Sequence, residues 1–319
     1  MNSSIETSAH VDSDVTSVFA RIVKWGLYPL LWLWLAICIG YAFTYPDQLA
    51  QVQMVKGSVM VALLLFCEWV VPYQRRWGMT WRYLLKRDLV FVAINGATLG
   101  LLSTLLATGA VIVSAYTVGP MSGQPLILQV VVGLLVFEAL QYGFHRGMHE
   151  SRGPLTNFLW RSHAIHHLPQ QLYVVMHAVF HPFNAVIVRL FVQLLPLWVL
   201  GFDPMAVLIY SSVIAFHGTI SHFNVDIRMG WLNYLFIGPE LHRYHHSAQS
   251  HEAMNFGSTL TLFDLVFKTF LYRPGVPPEA LGLKPEDGYP AQVAAIDSLL
   301  FPMSLQPVSA LKTDSRATV

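Results

Sequence analysis

Charge is what this sequence has least of. Only 12% of its 319 residues are Asp, Glu, Lys or Arg, against about 25% in an ordinary soluble domain. So few charges could not cover a soluble surface, and 54% of the residues are hydrophobic. The excess apolar surface calls for a bilayer. A net charge of +1 excludes an electrostatic case for nucleic acid. Cysteine is equally sparse: Cys38 and Cys67 are the only two, both inside apolar runs. Neither a disulfide framework nor a thiolate metal cluster is expected. The first 20 residues lack an apolar h-region and carry Glu6, Asp12 and Asp14. No cleaved signal peptide is expected, and the first membrane helix would itself direct insertion. Low-complexity segments and solenoid repeats are absent.

What is there is a series of apolar runs. A spanning helix needs about 20 mostly apolar residues. Candidates are 25–45, without a charge; 58–71, short and carrying Glu68; 89–113, without a charge; and 125–144, carrying Glu138. A fifth run, 178–201, is broken by Pro182, Pro196 and Arg189, and a sixth covers 204–216. These last two read as a hairpin dipping into the membrane. The expected fold is therefore an all-α polytopic membrane bundle of about four spanning helices plus that hairpin.

Orientation follows from where Lys and Arg collect. Arg21 and Lys24 precede the first run, and Arg75, Arg76, Arg82, Lys86 and Arg87 crowd the link between the second and third. The opposite side has Lys56, read as a loop residue. The N-terminus and the 72–88 link should face the cytoplasm, and four crossings return the chain there at His145. Later histidines then form a cytosolic helical cap. Domain boundaries read as a polar segment 1–24, a membrane-embedded domain 25–272 with its histidine-rich core at 130–272, and a proline-rich polar tail 273–319 with one short amphipathic helix near 292–301.

Thirteen of the 14 histidines lie between His145 and His251. HRGMH places His145 and His149 four apart. HAIHH places His163, His166 and His167 at i, i+3 and i+4, and HRYHH repeats this with His242, His245 and His246. Residues three and four apart share a helix face. His217 and His222 lie between, five apart. Imidazole ligates iron, zinc, copper and nickel, and a catalytic zinc takes about three protein ligands. Eight histidines in three clusters, with two more between, exceed what one ion can use, so two ions are the economical reading. Two redox-active ions would suit oxygen activation and zinc would suit hydrolysis; spacing alone does not decide. A purely structural role fits isolated His10, His177 and His251, but not three clusters whose burial would be costly without partners.

HRGMH, HAIHH and HRYHH resemble the three histidine boxes of the fatty acid hydroxylase and sterol desaturase superfamily. The stretches SHFNVDIRMGWLNYLFIGPELHRYHHS and MNFGSTLTLFDLVFKTF are similar to the family's segments around and after its last box. The resemblance covers residues 130–272. It implies a non-haem di-metal centre, taken as di-iron, on the cytosolic side of a small helical membrane bundle. It also implies oxygen and an external electron donor as co-substrates. The implied ligands are His145, His149, His163, His166, His167, His222, His242, His245 and His246, with His217 as an addition. His181, in HPFN, would stand behind the ligands or near the substrate. Four residues earlier the family often has arginine where this chain has His177, which leaves His177 without an implied role.

Glu138, two helical turns before His145, is an intramembrane carboxylate. It either orients an imidazole or lines a polar path, or it is a protonated or snorkelling glutamate. Asn224, Asn255 and Asp264 are candidate supports of the ligands, with helix-cap or salt-bridge roles as the bland alternative. The expected function is hydroxylation, or alternatively desaturation, of a C–H bond in a lipid such as a fatty acyl chain or sterol. Electrons would come from a separate redox protein, since 24 residues are too few for a fused haem domain. A membrane zinc lipid hydrolase and a metal-handling membrane protein are the competing classes. The second would hold its ligands at mid-depth, whereas these boxes lie at or beyond helix ends.

Overall fold

In the computed structural model, residues 18–114, 118–150 and 153–304 are described, the side chains of 103–114 excepted. Six long helices alternate in direction: α1 (Val18–Thr44), α2 (Leu49–Val70), α3 (Leu89–Ser114), α4 (Leu126–His149), α6 (Pro182–Leu200) and α7 (Pro204–Ser221). Two shorter helices, α5 (Pro154–His167) and α8 (Pro239–His245), lie across one end. Two more, α9 (Leu262–Val266) and α10 (Ala295–Leu300), follow. The architecture is the all-α bundle with a histidine-rich helical cap.

Five of the described helices, α1, α4, α6, α7 and residues Pro46–Val70 around α2, are long and apolar enough to cross a membrane. The 26-residue α3 carries no charged residue. At 1.5 Å per residue it extends about 39 Å, more than a hydrocarbon core. Large apolar side chains such as Leu33, Ile37, Phe66 and Trp69 point outward, as lipid-facing positions should. Between the helices, Leu27, Tyr28 and Leu31 of α1 pack with Leu64 of α2 and Phe216 and Ile220 of α7. Gly133 of α4 lets Tyr210 of α7 approach so closely that a Cβ there would stand 2.6 Å from the ring.

The ends of the bundle are tied differently. At one end, Gly201 adopts φ +67° to close α6 and abuts Gly119, while Gln129 holds the α6–α7 turn through Asp203, whose backbone N–H it accepts at 2.7 Å. At the other end, Lys24 pairs with Asp226 at 2.8 Å, and Glu68 accepts the backbone N–H groups of Val174 and Asn224 at 2.9 and 2.8 Å. The ends of α4 and α7 that carry histidines lie at this second end, as do the starts of α1, α3 and α6.

Three expectations change. Lys56 is not a loop residue: α2 starts at Leu49, and Lys56 is buried within it, bonded to Gln53 and Ser212. The polar residues at 51, 53 and 56 hid this first half of the helix, which hydropathy therefore truncated to 58–71. The hairpin 178–216 consists of two helices, each long enough to cross, joined at 201–203. Pro182 opens its helix, where no N–H is needed, and Pro196 directly follows the π-helical segment Val188–Leu194, where the regular i→i−4 ladder is already interrupted. Finally, the start of the polar tail folds back onto the cap. Leu283, Tyr289 and Phe301 are buried against Trp160, Ala164 and Leu168, and the Trp160 Nε1–H donates to the Tyr289 hydroxyl at 3.1 Å. The amphipathic helix expected near 292–301 is α10. Residues 1–17 and 305–319, parts of the N-terminal segment and tail, lie outside the described residues.

Candidate metal centre

The structure sorts the histidines into two groups. His145, His149, His163, His167 and His245 form one; His166, His222, His242 and His246 form the other. Within each group one nitrogen per imidazole lies within 4.8 Å of every other, and all nine residues are buried. The second and third boxes straddle the groups, and helix geometry explains how. Positions i and i+4 differ by about 40° around the axis, and i+3 lies about 60° to the other side. His163 and His167 therefore face one group while His166 faces the other. His242 and His246 likewise separate from His245. An H-x-x-H-H sequence on one short helix serves two neighbouring sites at once.

Nε2 atoms converge inside each group. His163 Nε2 lies 3.0 Å from that of His145 and 2.9 Å from that of His167. His222 Nε2 lies 2.8 Å from that of His166 and 3.1 Å from that of His242, which is 3.1 Å from that of His246. Metal–imidazole bonds of about 2.1 Å set at right angles would separate their nitrogens by about 3.0 Å. Both ring nitrogens of His149 and Nε2 of His245 are buried without a hydrogen-bond partner, and ligation through one nitrogen of each ring would remove part of that cost. Burial first, and mutual repulsion second, hold His163, His167, His242, His245 and His246 well below the ordinary histidine range. Burial lowers His166 to about 3. All six are neutral at physiological pH, the state a metal requires. The residues present fit a pair of metal ions.

Backbone carbonyls orient several rings through Nδ1. His145 Nδ1 meets Phe256 O at 2.8 Å, His166 Nδ1 meets Val179 O at 2.9 Å, and His245 Nδ1 meets Met254 O at 3.2 Å. Nδ1–H donation to a carbonyl leaves Nε2 as the acceptor that faces the group. His222 Nδ1 is instead 3.0 Å from the hydroxyl of the preceding Ser221.

Glu138 and Asp264 act one step further back. Glu138 accepts the N–H groups of Ser258 and Thr259 at 2.7 and 2.9 Å. Asp264 accepts those of Phe256 and Gly257, both at 2.8 Å, and the Thr269 hydroxyl at 2.6 Å. Neither carboxylate touches an imidazole; together they hold the 256–259 segment whose carbonyl orients His145. Gly257 makes this possible, since a Cβ there would stand 2.8 Å from Asp264 Oδ2 and 3.1 Å from Glu138 Oε1. Asn255, at φ 60°, braces the same segment through Leu241 O and Leu271. Asn224 supports a different place, clasping the backbone of Gln74 at 3.1 and 2.9 Å.

Two expected residues stand apart from the histidine groups. His217 is buried, its Nδ1 2.8 Å from Ile237 O and its ring stacked on Phe236. Its five-residue spacing from His222 turns the two imidazoles in different directions. His181 caps α6, accepting the Phe183 N–H at 3.1 Å and donating to Leu299 O at 3.0 Å. It fastens α10 to the cap and belongs to neither group.

A cavity of about 710 Å³ opens from the histidines into the bundle. His145, His163, His166, His222 and His242 stand at its head, and Phe137, Val188, Val192, Leu197, Phe202 and Ile214 line its body. His177, which the sequence left without a role, lines it beside His222, with ring centroids 5.7 Å apart. Sequence reasoning also missed Gln141, Asn184 and Arg189 in this wall; a spacing of four before His145 was the available signal for Gln141.

The fatty acid hydroxylase family profile matches residues 130–269, the segment that contributes all nine grouped histidines. The chain is similar to the ornithine lipid hydroxylase OlsE of Rhizobium tropici, 32% identical over 293 residues, covering 82% of this chain and 82% of that one. No solved structure matches. With its apolar helices and paired histidine groups, the chain is a multi-pass membrane protein that belongs to the fatty acid hydroxylase family.

Proposed function

We propose that this protein hydroxylates a C–H bond of a membrane lipid at a di-iron centre held by the nine grouped histidines. One observation carries the reading: two converging imidazole groups stand at the head of an apolar cavity inside a membrane bundle. The stoichiometry is R–H + O₂ + 2 e⁻ + 2 H⁺ → R–OH + H₂O. A pair of iron ions supplies the reduction of dioxygen and the oxidation of the C–H bond. The His145 group would hold one ion and the His166 group the other.

The chain's own residues supply position and dryness. Carbonyls of Phe256, Val179 and Met254 keep His145, His166 and His245 in the tautomer that presents Nε2. Glu138 and Asp264 keep the Phe256 carbonyl in place. The apolar wall admits a lipid from the bilayer and excludes water from the reacting carbon. The relative is named for ornithine lipids, and a lipid with an amino-acid headgroup is the substrate we favour here. Hydroxylation is favoured over desaturation by the family name and by that relative.

The histidine cap faces the cytoplasm in this reading. Arg75, Arg76, Arg82 and Lys86 are exposed on its side, whereas residues 45–48, 118–125 and 201–203 at the other end contain no Lys or Arg. With Lys56 inside α2, the asymmetry is sharper than hydropathy alone indicates. Electrons come from a separate redox protein docking on the cap.

The test is turnover of lipid extract by purified protein under ¹⁸O₂ with a reducing system. A product about 18 Da heavier, with label from the gas, supports the proposal; label from water, or turnover without oxygen, refutes it.

A further inference from the structure

Among the described residues lining the cavity, Arg189 is the only Asp, Glu, Lys or Arg. It is the eighth residue of α6, about 10 Å along the helix from its histidine-side end. Its guanidinium donates to Gln193 Oε1 at 2.8 Å, and no carboxylate among the described residues pairs with it. An arginine cannot discharge by losing its proton, so a guanidinium lining an apolar cavity at this depth carries a desolvation cost that a negative partner would offset. Arg189 and Gln193 both lie in the π-helical segment Val188–Leu194, a local widening frequent at functional sites. A second polar group in the same wall lacks a partner: Oε1 of Gln141, one turn before His145, is buried and unbonded.

We infer that Arg189, braced by Gln193, is the binding site for an oxyanion of the lipid substrate, a carboxylate or a phosphate. The inference rests on the cavity being the lipid site. A guanidinium pairs with an oxyanion in two parallel hydrogen bonds, which fixes orientation as well as affinity. Asn184, five residues earlier on α6, has its amide 3.3 Å from His163 Nδ1. Arg189 is therefore anchored roughly 7 Å along the helix from the histidines. A lipid held there presents carbons near its headgroup to the His145 and His166 groups. Gln141, in the same wall one turn before His145, suits an N–H or O–H of the same headgroup.

Binding is measured on purified protein in nanodiscs without turnover. The probes are a fluorescent N-acyl amino acid with a free carboxylate, its methyl ester, and a fluorescent phosphatidic acid. The wild type should bind the free carboxylate about tenfold or more tighter than the ester. Arg189→Gln should abolish that preference and Arg189→Lys should keep part of it. Equal binding of acid, ester and phosphatidic acid by the wild type, or a preference for an oxyanion that survives Arg189→Gln, overturns the inference. Preference for phosphatidic acid over both others supports it and assigns the oxyanion as phosphate. Cobalt uptake by the histidine groups reports whether Arg189→Gln is folded. If it is not, Gln193→Ala, which removes only the brace, should weaken the acid preference, and an unchanged preference there overturns the inference. Failure of metal binding with an intact acid preference would sink the hydroxylase reading and leave the anchor standing.

Discussion

Asp264→Asn isolates the claim that carboxylates remote from the histidines set the geometry of the site. Asp264 accepts three hydrogen bonds, from the Phe256 and Gly257 backbone and from Thr269. Burial pushes its carboxyl up to about 6, while the three donors facing its two oxygens favour the ionised acceptor and make these bonds charge-assisted. Asparagine keeps the shape but turns one oxygen into an N–H₂ donor, which must face a backbone N–H or the hydroxyl. One bond to a charged acceptor is lost, at about 1.5–3 kcal/mol, and a buried donor is left unmade at about 1–3 kcal/mol. Burying a neutral amide in place of a carboxylate offsets part of this. The net expected loss is about 3 kcal/mol, read as a lowered midpoint of denaturant unfolding in detergent. The Phe256 carbonyl that orients His145 shifts with its segment. Metal affinity at the His145 group should fall about 10- to 100-fold, while the His166 group, oriented by Val179, keeps its affinity. Two independent metal-binding isotherms before and after substitution decide it. Unchanged stability with unchanged affinity at both groups would refute the chain of support from Asp264 to His145.

Other expectations follow from the same geometry. His149→Ala should remove one bound metal ion per chain, whereas His217→Ala should retain both and lose about 1–3 kcal/mol of stability through its bond to Ile237. Elemental analysis of the two purified variants separates these outcomes, and equal metal loss would place His217 at the centre. In metal-free protein, the six cap histidines with lowered values bind protons only in the unfolded state between about pH 6.5 and their folded values, about 3 for His166. The unfolded state thus holds more protons as pH falls, so stability should decline below about pH 6.5, by up to about 1.4 kcal/mol per unit for each histidine. A metal-free unfolding midpoint that does not move between pH 7 and 5 would contradict this. Gly218→Ala would place a Cβ 2.7 Å from His177 Cε1 and force that ring to move in the cavity wall. Metal content should be retained while the KM for lipid rises, and an unaltered KM would show that His177 is remote from the substrate.

Much of the site is legible because helical periodicity is strict. Imidazoles at i, i+3 and i+4 had to share a face of α5 and of α8, and two ions were implied by their number. What spacing did not reveal is that i and i+4 part company with i+3, since that depends on where a neighbouring helix brings its own histidines. Glu138 was singled out for its depth, but its partners, the backbone of Ser258 and Thr259, lie 120 residues further on, and backbone donors leave no trace in side-chain pattern. Lys56 was misplaced because hydropathy penalises a buried cation; Ser212 of α7, which satisfies it, is visible only after folding. Arg189 registered as an interruption of an apolar run, and only the cavity gave it a meaning. The packing of Tyr289 and Phe301 onto Trp160 was hidden by the prolines around them, which suggested a tail.

The central claim, that the nine histidines form two metal sites, is tested most directly by iron content. Protein expressed with iron and purified anaerobically should carry two ions per chain. Replacing His222, His242 and His246 together with alanine should leave one, held by the His145 group. A wild type saturating at a single ion, or a triple variant that still holds two, would contradict the account.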